Sequence, residues 1–183
     1  EHISYFTARN IKSILDYSNL KILSLSKNEY HGGSLRTIVS KKNSSLKEFK
    51  IDKFVNYENK KNIYKSIFYK KMMKKINLKK KILLTKLNNL SAKGYTVSGI
   101  GAGAKSNTFL TFYGLDNKII KFLTDSSKFK KNKYTPISRI IIKDDKELIN
   151  YKKIACIILS WNISSLIIDK IKKLNKKIKI IYT

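Results

Sequence analysis

Residues 99–110 read GIGAGAKSNTFL, a run of small residues that leads into a helical pattern. The apolar residues around it predict a strand at 95–99 and a helix at 105–113. The run matches the spacing Gly-x-Gly-x-x-Ala, in which glycines let the chain turn sharply from a strand into a helix. The sequence therefore predicts a strand, a turn at residues 101–103, here called the glycine loop, and a helix.

Strands and helices continue to alternate after the glycine loop. Apolar runs predict strands at 119–124, 139–142, 154–160 and 178–182, and an amphipathic helix at 163–174 precedes the last of them. Such alternation implies a parallel sheet with crossover helices. We therefore expect an α/β fold with a Rossmann-like domain at residues 95–183.

The chain before residue 95 has a different pattern. Thr7 is a suitable N-cap for a helix that ends near Asn19, and strands are predicted at 20–26 and 34–40. We expect residues 1–42 to be the tail of another α/β sheet, because this helix lacks a strand before it. Residues 43–94 predict a helical linker with a break near Asn59. Since the chain begins with Glu, we also expect that part of a longer protein precedes it.

The chain is strongly basic, with 40 Lys and Arg against 12 Asp and Glu in 183 residues, a net charge of +28. Such a charge is typical of proteins that bind polyanions. Only three of the basic residues are Arg, however, and the guanidinium group is the one that reads bases and clamps phosphates. The lysines are scattered, and an AT-rich genome would also produce them. We expect no specific nucleic acid partner, and the alternative of a nucleic-acid-binding protein predicts steep salt dependence.

The sequence offers no membrane or disulfide pattern. No run of about 18 uncharged apolar residues occurs, and the N-terminal residues lack the order of a secretory signal. The single cysteine, Cys156, lies in an apolar run and predicts a buried, inert thiol. These features favour a cytoplasmic protein without a membrane partner, and no metal site is expected in this chain.

The glycine loop and the helix after it are a candidate phosphate site, because helix N-termini attract anions. The candidate ligands are the backbone of Gly101, Ala102 and Gly103 and the side chains of Lys105, Ser106 and Asn107. Asp125 ends the next predicted strand, where dinucleotide folds place a ribose-binding carboxylate. The structural alternatives are that the small residues only allow close packing and that Asp125 is a turn former or helix cap.

Five segments, in order along the chain, resemble the sugar C-methyltransferases, which use S-adenosylmethionine to methylate a nucleotide-linked keto sugar. EHISYF at 1–6 resembles the end of the family motif YHEHxSYF, and HGGSLR follows at 31–36. GIGAGAKSNTFL at 99–110 is similar to GYGAxAKGNTLL, and KYTP at 133–136 and LSWN at 159–162 are similar to KYTPG and LAWN. The chain departs from these motifs at Ile100, Ser106 and Ile137, and the family's D-D-x-P segment is reduced to residues 125–127.

The resemblance implies a reaction and its residues. His2 would be the base that removes the α-proton of the keto sugar, and Glu1 would orient it. The adenosylmethionine site would lie mostly upstream of residue 1, and a zinc module would lie entirely upstream of it. The nucleotide-diphosphate sugar is the implied substrate, and its further candidate contacts are His31, Tyr134, Trp161 and Asn162. The alternative roles are backbone capping for His31 and core or interface packing for Trp161.

Two other function classes remain compatible with the sequence. A nucleotide-sugar-binding module without catalysis would keep the glycine loop and lack the adenosylmethionine site. A nicotinamide-dependent oxidoreductase would use the glycine loop with Asp125, although the position of Lys105 just after the loop and the family resemblance disfavour it.

Overall fold

The computed structural model describes residues 3–182, and His31 by its backbone only. The chain divides between Lys75 and Ile76 into two compact units. Helices and strands are numbered along the chain.

The first unit packs helices against an antiparallel pair of strands. Helix α1 (Ala8–Tyr17) begins after Thr7, whose hydroxyl accepts a 3.2 Å hydrogen bond from the N–H of Asn10, so the predicted cap is confirmed. Strand β1 (Leu20–Asn28) pairs with β2 (Ser34–Lys41), and helix α2 (Asp52–Lys60) follows. The core of this unit is a small apolar cluster that contains Ala8, Ile22, Leu25 and Ile51.

The second unit is built on a five-stranded parallel sheet with the order β5-β4-β3-β6-β7. Its strands are β3 (Thr96–Ile100), β4 (Phe122–Thr124), β5 (Ile142–Lys143), β6 (Ile154–Ile158) and β7 (Lys179–Ile181). Its helices are α4 (Ala104–Tyr113), α5 (Ser164–Leu174) and the C-terminal part of the long helix α3 (Ser66–Ala92). The predicted α/β fold with a Rossmann-like parallel sheet is confirmed.

Both faces of this sheet are covered, and β6 is the clearest example. Ala155 and Ile157 belong to the apolar cluster that contains residues of α3 and α4. Ile154, Cys156 and Ile158 belong to a second cluster, which contains Ile171 of α5. Because side chains alternate along a strand, a strand buried on both faces reads as a continuous apolar run.

The strand predicted at 139–142 is wrong in its bounds, since β5 begins only at Ile142. Ile137 and Arg139 have φ values of 63° and 52°, which belong to a turn and not to a strand. The hydroxyl of Thr135 stabilises this turn by accepting a 2.9 Å hydrogen bond from the N–H of Ile140.

None of the helices within residues 3–182 is long and apolar enough to cross a bilayer.

Candidate functional site

The order of the strands places the glycine loop at the edge of the sheet where ligands bind. Strand β3 is central, with β4 on one side and β6 on the other, so the order of the sheet reverses there. Open parallel sheets bind ligands outside the carboxyl ends of the strands at such a reversal. The glycine loop leaves the carboxyl end of β3 at this point and leads directly into α4.

Gly101 lets the ends of β3 and β6 approach each other closely. Its φ is +96°, and a Cβ atom at this position would lie 2.1 Å from the Ser160 side-chain oxygen, Oγ. Just before these two residues, the N–H of Leu159 donates a 2.9 Å hydrogen bond to the carbonyl of Ile100. Sequence reasoning did not select Ser160, although its place at the carboxyl end of a buried strand puts it at the same edge of the sheet.

The three amides of the glycine loop donate hydrogen bonds within the protein. Gly101 N–H donates to the carbonyl of Thr124 at 2.7 Å, and Ala102 N–H donates to Oδ2 of Asp125 at 2.8 Å. Gly103 N–H donates to Oγ of Ser106 at 3.3 Å. The amides at 104–106 begin α4 and have no preceding helical carbonyl to bond. The donors that this site offers to an anion are therefore at the start of α4.

Asp125 connects the glycine loop to the segment that follows β4. Its Oδ1 accepts from the N–H of Ser127 at 2.9 Å, and its Oδ2 also receives the ammonium group of Lys130 at 3.0 Å. Burial alone would raise the pKa of Asp125, but the amide donors of Ala102 and Ser127 and the charge of Lys130 outweigh it and lower that pKa. Asp125 is thus an ionised group with three protein donors, and Lys130 is a partner that sequence reasoning missed.

Lys105 and Trp161 meet at this edge of the sheet. The Lys105 ammonium lies 5.7 Å from the centre of the Trp161 ring, within the range of a cation–π contact. Trp161 opens a short 3-10 turn, Trp161–Ile163, after β6 and is 50% exposed. Within residues 3–182 Lys105 forms no ion pair, so its charge is available to an anion, and the exposed indole offers a stacking surface.

Two buried oxygen atoms near the glycine loop have no hydrogen-bond partner in the part of the chain that the structure describes. They are Oγ1 of Thr124, at the end of β4, and Oδ1 of Asn107, in the first turn of α4. A buried polar atom without a partner is costly, and such atoms commonly mark a place where a ligand or solvent donor binds.

Of the remaining predicted residues, Tyr134 and His31 lie away from the glycine loop, and Asn162 is next to Trp161. Tyr134 is exposed and forms an isolated antiparallel bridge with Ile141, next to β5, so it lies about 14 Å or three strand spacings from β3. Asn162 is exposed and adjoins Trp161. His31 is in the short 3-10 turn between β1 and β2, in the other unit. Glu1 and His2 are outside the described residues.

No group of three or more His, Cys, Asp or Glu side chains within residues 3–182 is arranged to hold a metal ion. Cys156 is a buried free thiol in β6.

The helix start, the Lys105 ammonium and the Trp161 indole lie together at this edge of the sheet. The chemistry that they can perform is the binding of an anion with an attached ring.

Comparison with known proteins gives two matches. The sequence model of a family described as C-methyltransferase C-terminal domain matches residues 29–182. A curated relative, the C-methyltransferase NovU of Streptomyces niveus, is 24% identical over 175 residues, which are 94% of this chain and 41% of the relative. The chain thus spans about two fifths of the length of this relative.

Proposed function

Because the chain belongs to the C-methyltransferase C-terminal domain family, we propose that it is the substrate-binding part of a methyltransferase. The reaction would move a methyl group from S-adenosylmethionine to a carbon of a nucleotide-linked keto-deoxysugar. The relative is called a C-methyltransferase, which supports the reaction class. The motif resemblance and the anion site at the start of α4 support the proposed substrate.

The observation that carries this proposal is the position of Lys105 and Trp161 at the reversal of the strand order. The diphosphate would bind at the first turn of α4, where the amides of the helix start and the Lys105 ammonium attract negative charge. The half-exposed Trp161 ring would stack on the base or the sugar. An anion and a flat or ring-shaped group side by side are the chemical features of a nucleotide-diphosphate sugar.

The proposed methyl transfer needs a carbon nucleophile. A base removes the proton from the carbon next to the ketone and leaves an enolate. The enolate carbon then forms a bond to the methyl group while the bond between that methyl group and sulfur breaks, and a neutral thioether leaves. His2 is the proposed base, because an imidazole accepts a proton near neutral pH, and Glu1 would orient it. Both residues are at the beginning of the chain, outside the described residues.

S-adenosylmethionine would supply an electrophilic methyl group when bound. The glycine loop does not fit its ribose, because the carboxylate at the end of β4 that could hold the hydroxyls already accepts from Ala102, Ser127 and Lys130. We therefore assign the cofactor, and the zinc module that the motifs imply, to the part of the longer relative that this chain does not cover.

The test is titration of a deoxysugar nucleotide into Lys105→Ala and a matched control, Lys118→Ala. Lys118 is exposed in the segment that leads to the amino end of β4, so its removal subtracts the same charge at the opposite edge of the sheet. Lys105→Ala should weaken binding about tenfold through loss of a charged contact, and Lys118→Ala should leave binding nearly unchanged. Equal affinities in the two variants would contradict the phosphate role of Lys105.

The catalytic part of the proposal needs a protein that also carries the adenosylmethionine site. In such a protein His2→Asn should abolish methyl transfer and leave nucleotide-sugar binding intact. Retained turnover would exclude His2 as the base.

A further inference from the structure

We propose that Asp125 is a positioning residue, which holds the glycine loop against the end of β4, and that it is not a ligand of the nucleotide ribose. For the part that concerns the ligand, this inference rests on the proposed function. The position of Asp125 after the second strand of the sheet is the one that predicts a ribose contact, so the two roles can be separated by experiment.

The contacts of Asp125 leave little room for a ligand. Its side chain is only 12% exposed. One oxygen accepts from the Ala102 amide at 2.8 Å and from Lys130 at 3.0 Å, and the other accepts from the Ser127 amide at 2.9 Å. Three of the about four acceptor sites of the carboxylate are thus occupied, and the burial of the side chain leaves a ribose hydroxyl little access to the fourth.

The same contacts join three segments. Gly101 N–H donates to the carbonyl of Thr124, and Ala102 N–H donates to Asp125. These two hydrogen bonds join two consecutive residues of the glycine loop to two consecutive residues at the end of β4. Lys130 holds the following segment to the same carboxylate. The start of α4 is thereby fixed relative to the sheet before any ligand binds, and such preorganisation improves affinity.

The charge balance supports the same role. An unpaired carboxylate next to the start of α4 would repel a diphosphate, whereas Lys130 neutralises Asp125 and leaves the Lys105 charge to attract it. The proposal implies that this site does not distinguish ribose from 2′-deoxyribose. It also implies that a nicotinamide dinucleotide, whose ribose needs a free carboxylate at this position, binds poorly.

The first test measures amide hydrogen exchange by NMR in the 183-residue chain and in Asp125→Ala and Asp125→Asn. The Ala102 amide should exchange at least about tenfold faster in Asp125→Ala, because its acceptor is gone. Asp125→Asn keeps an acceptor oxygen and should show a smaller change. Asp116→Ala is the control, since Asp116 accepts from the Lys118 amide in another turn, and it should leave Ala102 protected. Unchanged exchange at Ala102 in Asp125→Ala would overturn the proposal.

The second test compares UDP with 2′-deoxy-UDP as ligands. The wild-type chain should bind the two within about threefold, and Asp125→Ala should weaken both by one common factor of about ten, with partial recovery in Asp125→Asn. A wild-type preference for UDP that disappears in Asp125→Asn would identify Asp125 as a ribose ligand and overturn the proposal. If the wild-type chain binds neither these nucleotides nor any other nucleoside diphosphate, the proposed function fails, and the exchange at Ala102 still decides whether Asp125 positions the loop.

Discussion

A Cβ atom on Gly101 would lie only 2.1 Å from the side-chain oxygen of Ser160, too close for any side chain at position 101. The Ser160 amide nitrogen would also be only 3.3 Å from that atom. Both residues lie at the carboxyl edge of the parallel sheet, one after β3 and the other after β6. A side chain at position 101 would therefore push apart the two strand ends that form the proposed ligand site.

Gly101→Ala should lower the free energy of unfolding by at least about 2 kcal/mol, since it combines a steric clash with an unfavourable positive φ. Gly114→Ala is the matched control, because Gly114 has a φ of +69° but nothing within 4 Å of an added Cβ. This control should cost about 1 kcal/mol, from the backbone conformation alone. Chemical denaturation measures both, and equal losses would contradict the account of Gly101.

A buried carboxylate stabilises the start of α1 in the first unit. Glu58 accepts a 2.7 Å hydrogen bond from the N–H of Ala8 and another from the hydroxyl of Tyr64, whose ring is covered by Arg9 at 3.9 Å. Glu58→Ala should cost about 2–3 kcal/mol of unfolding free energy, because it leaves a buried amide without its acceptor and leaves the Tyr64 hydroxyl only the longer bond to Thr7.

The control for Glu58 is Glu48, a more exposed glutamate whose partner is Lys12 at 3.1 Å. Glu48→Ala should cost less than about 1 kcal/mol, as is usual for ion pairs near the surface. Denaturant unfolding of the two variants measures the difference. A loss in Glu48→Ala as large as that in Glu58→Ala would contradict the role given to burial.

The thiol of Cys156 should be unreactive in the folded protein. Burial in β6 raises its pKa from 9.0 to about 12, so the thiolate is scarce at neutral pH and inaccessible to reagents. Because the folded form holds its proton more tightly than the unfolded form, the unfolding free energy should fall as the pH rises from about 9 toward 12. Rapid labelling by iodoacetamide at pH 8 without denaturant would contradict this expectation, and labelling after unfolding is the control.

Features set by neighbours in the sequence could be predicted. Thr7 and the amide that it caps are three residues apart, and the glycine loop lies between a strand and a helix within one short segment. The first residue of β4, Phe122, could be predicted less accurately than these local features. The apolar side chain of Ile120 predicts a strand residue, but its N–H donates to the Asp116 carbonyl in a turn.

The contacts of the candidate site depend on which strands are adjacent, and the apolar pattern does not specify that order. Asp125 bonds an amide 23 residues before it, and Gly101 approaches Ser160 because β3 and β6 are neighbours. Tyr134 is a second residue whose position could not be predicted without the order of the strands. It lies on a motif that the resemblance selected, yet its bridge to Ile141 places it away from β3.

The most direct test of the account is calorimetric titration of the 183-residue chain, at moderate salt, with nucleoside diphosphates, deoxysugar nucleotides and S-adenosylmethionine. Trp161 is the single tryptophan, so its emission reports on the site in the same samples. We expect saturable binding of the nucleotide sugars with a change in Trp161 emission, and no binding of S-adenosylmethionine. A folded chain that binds none of the nucleotides would contradict this expectation.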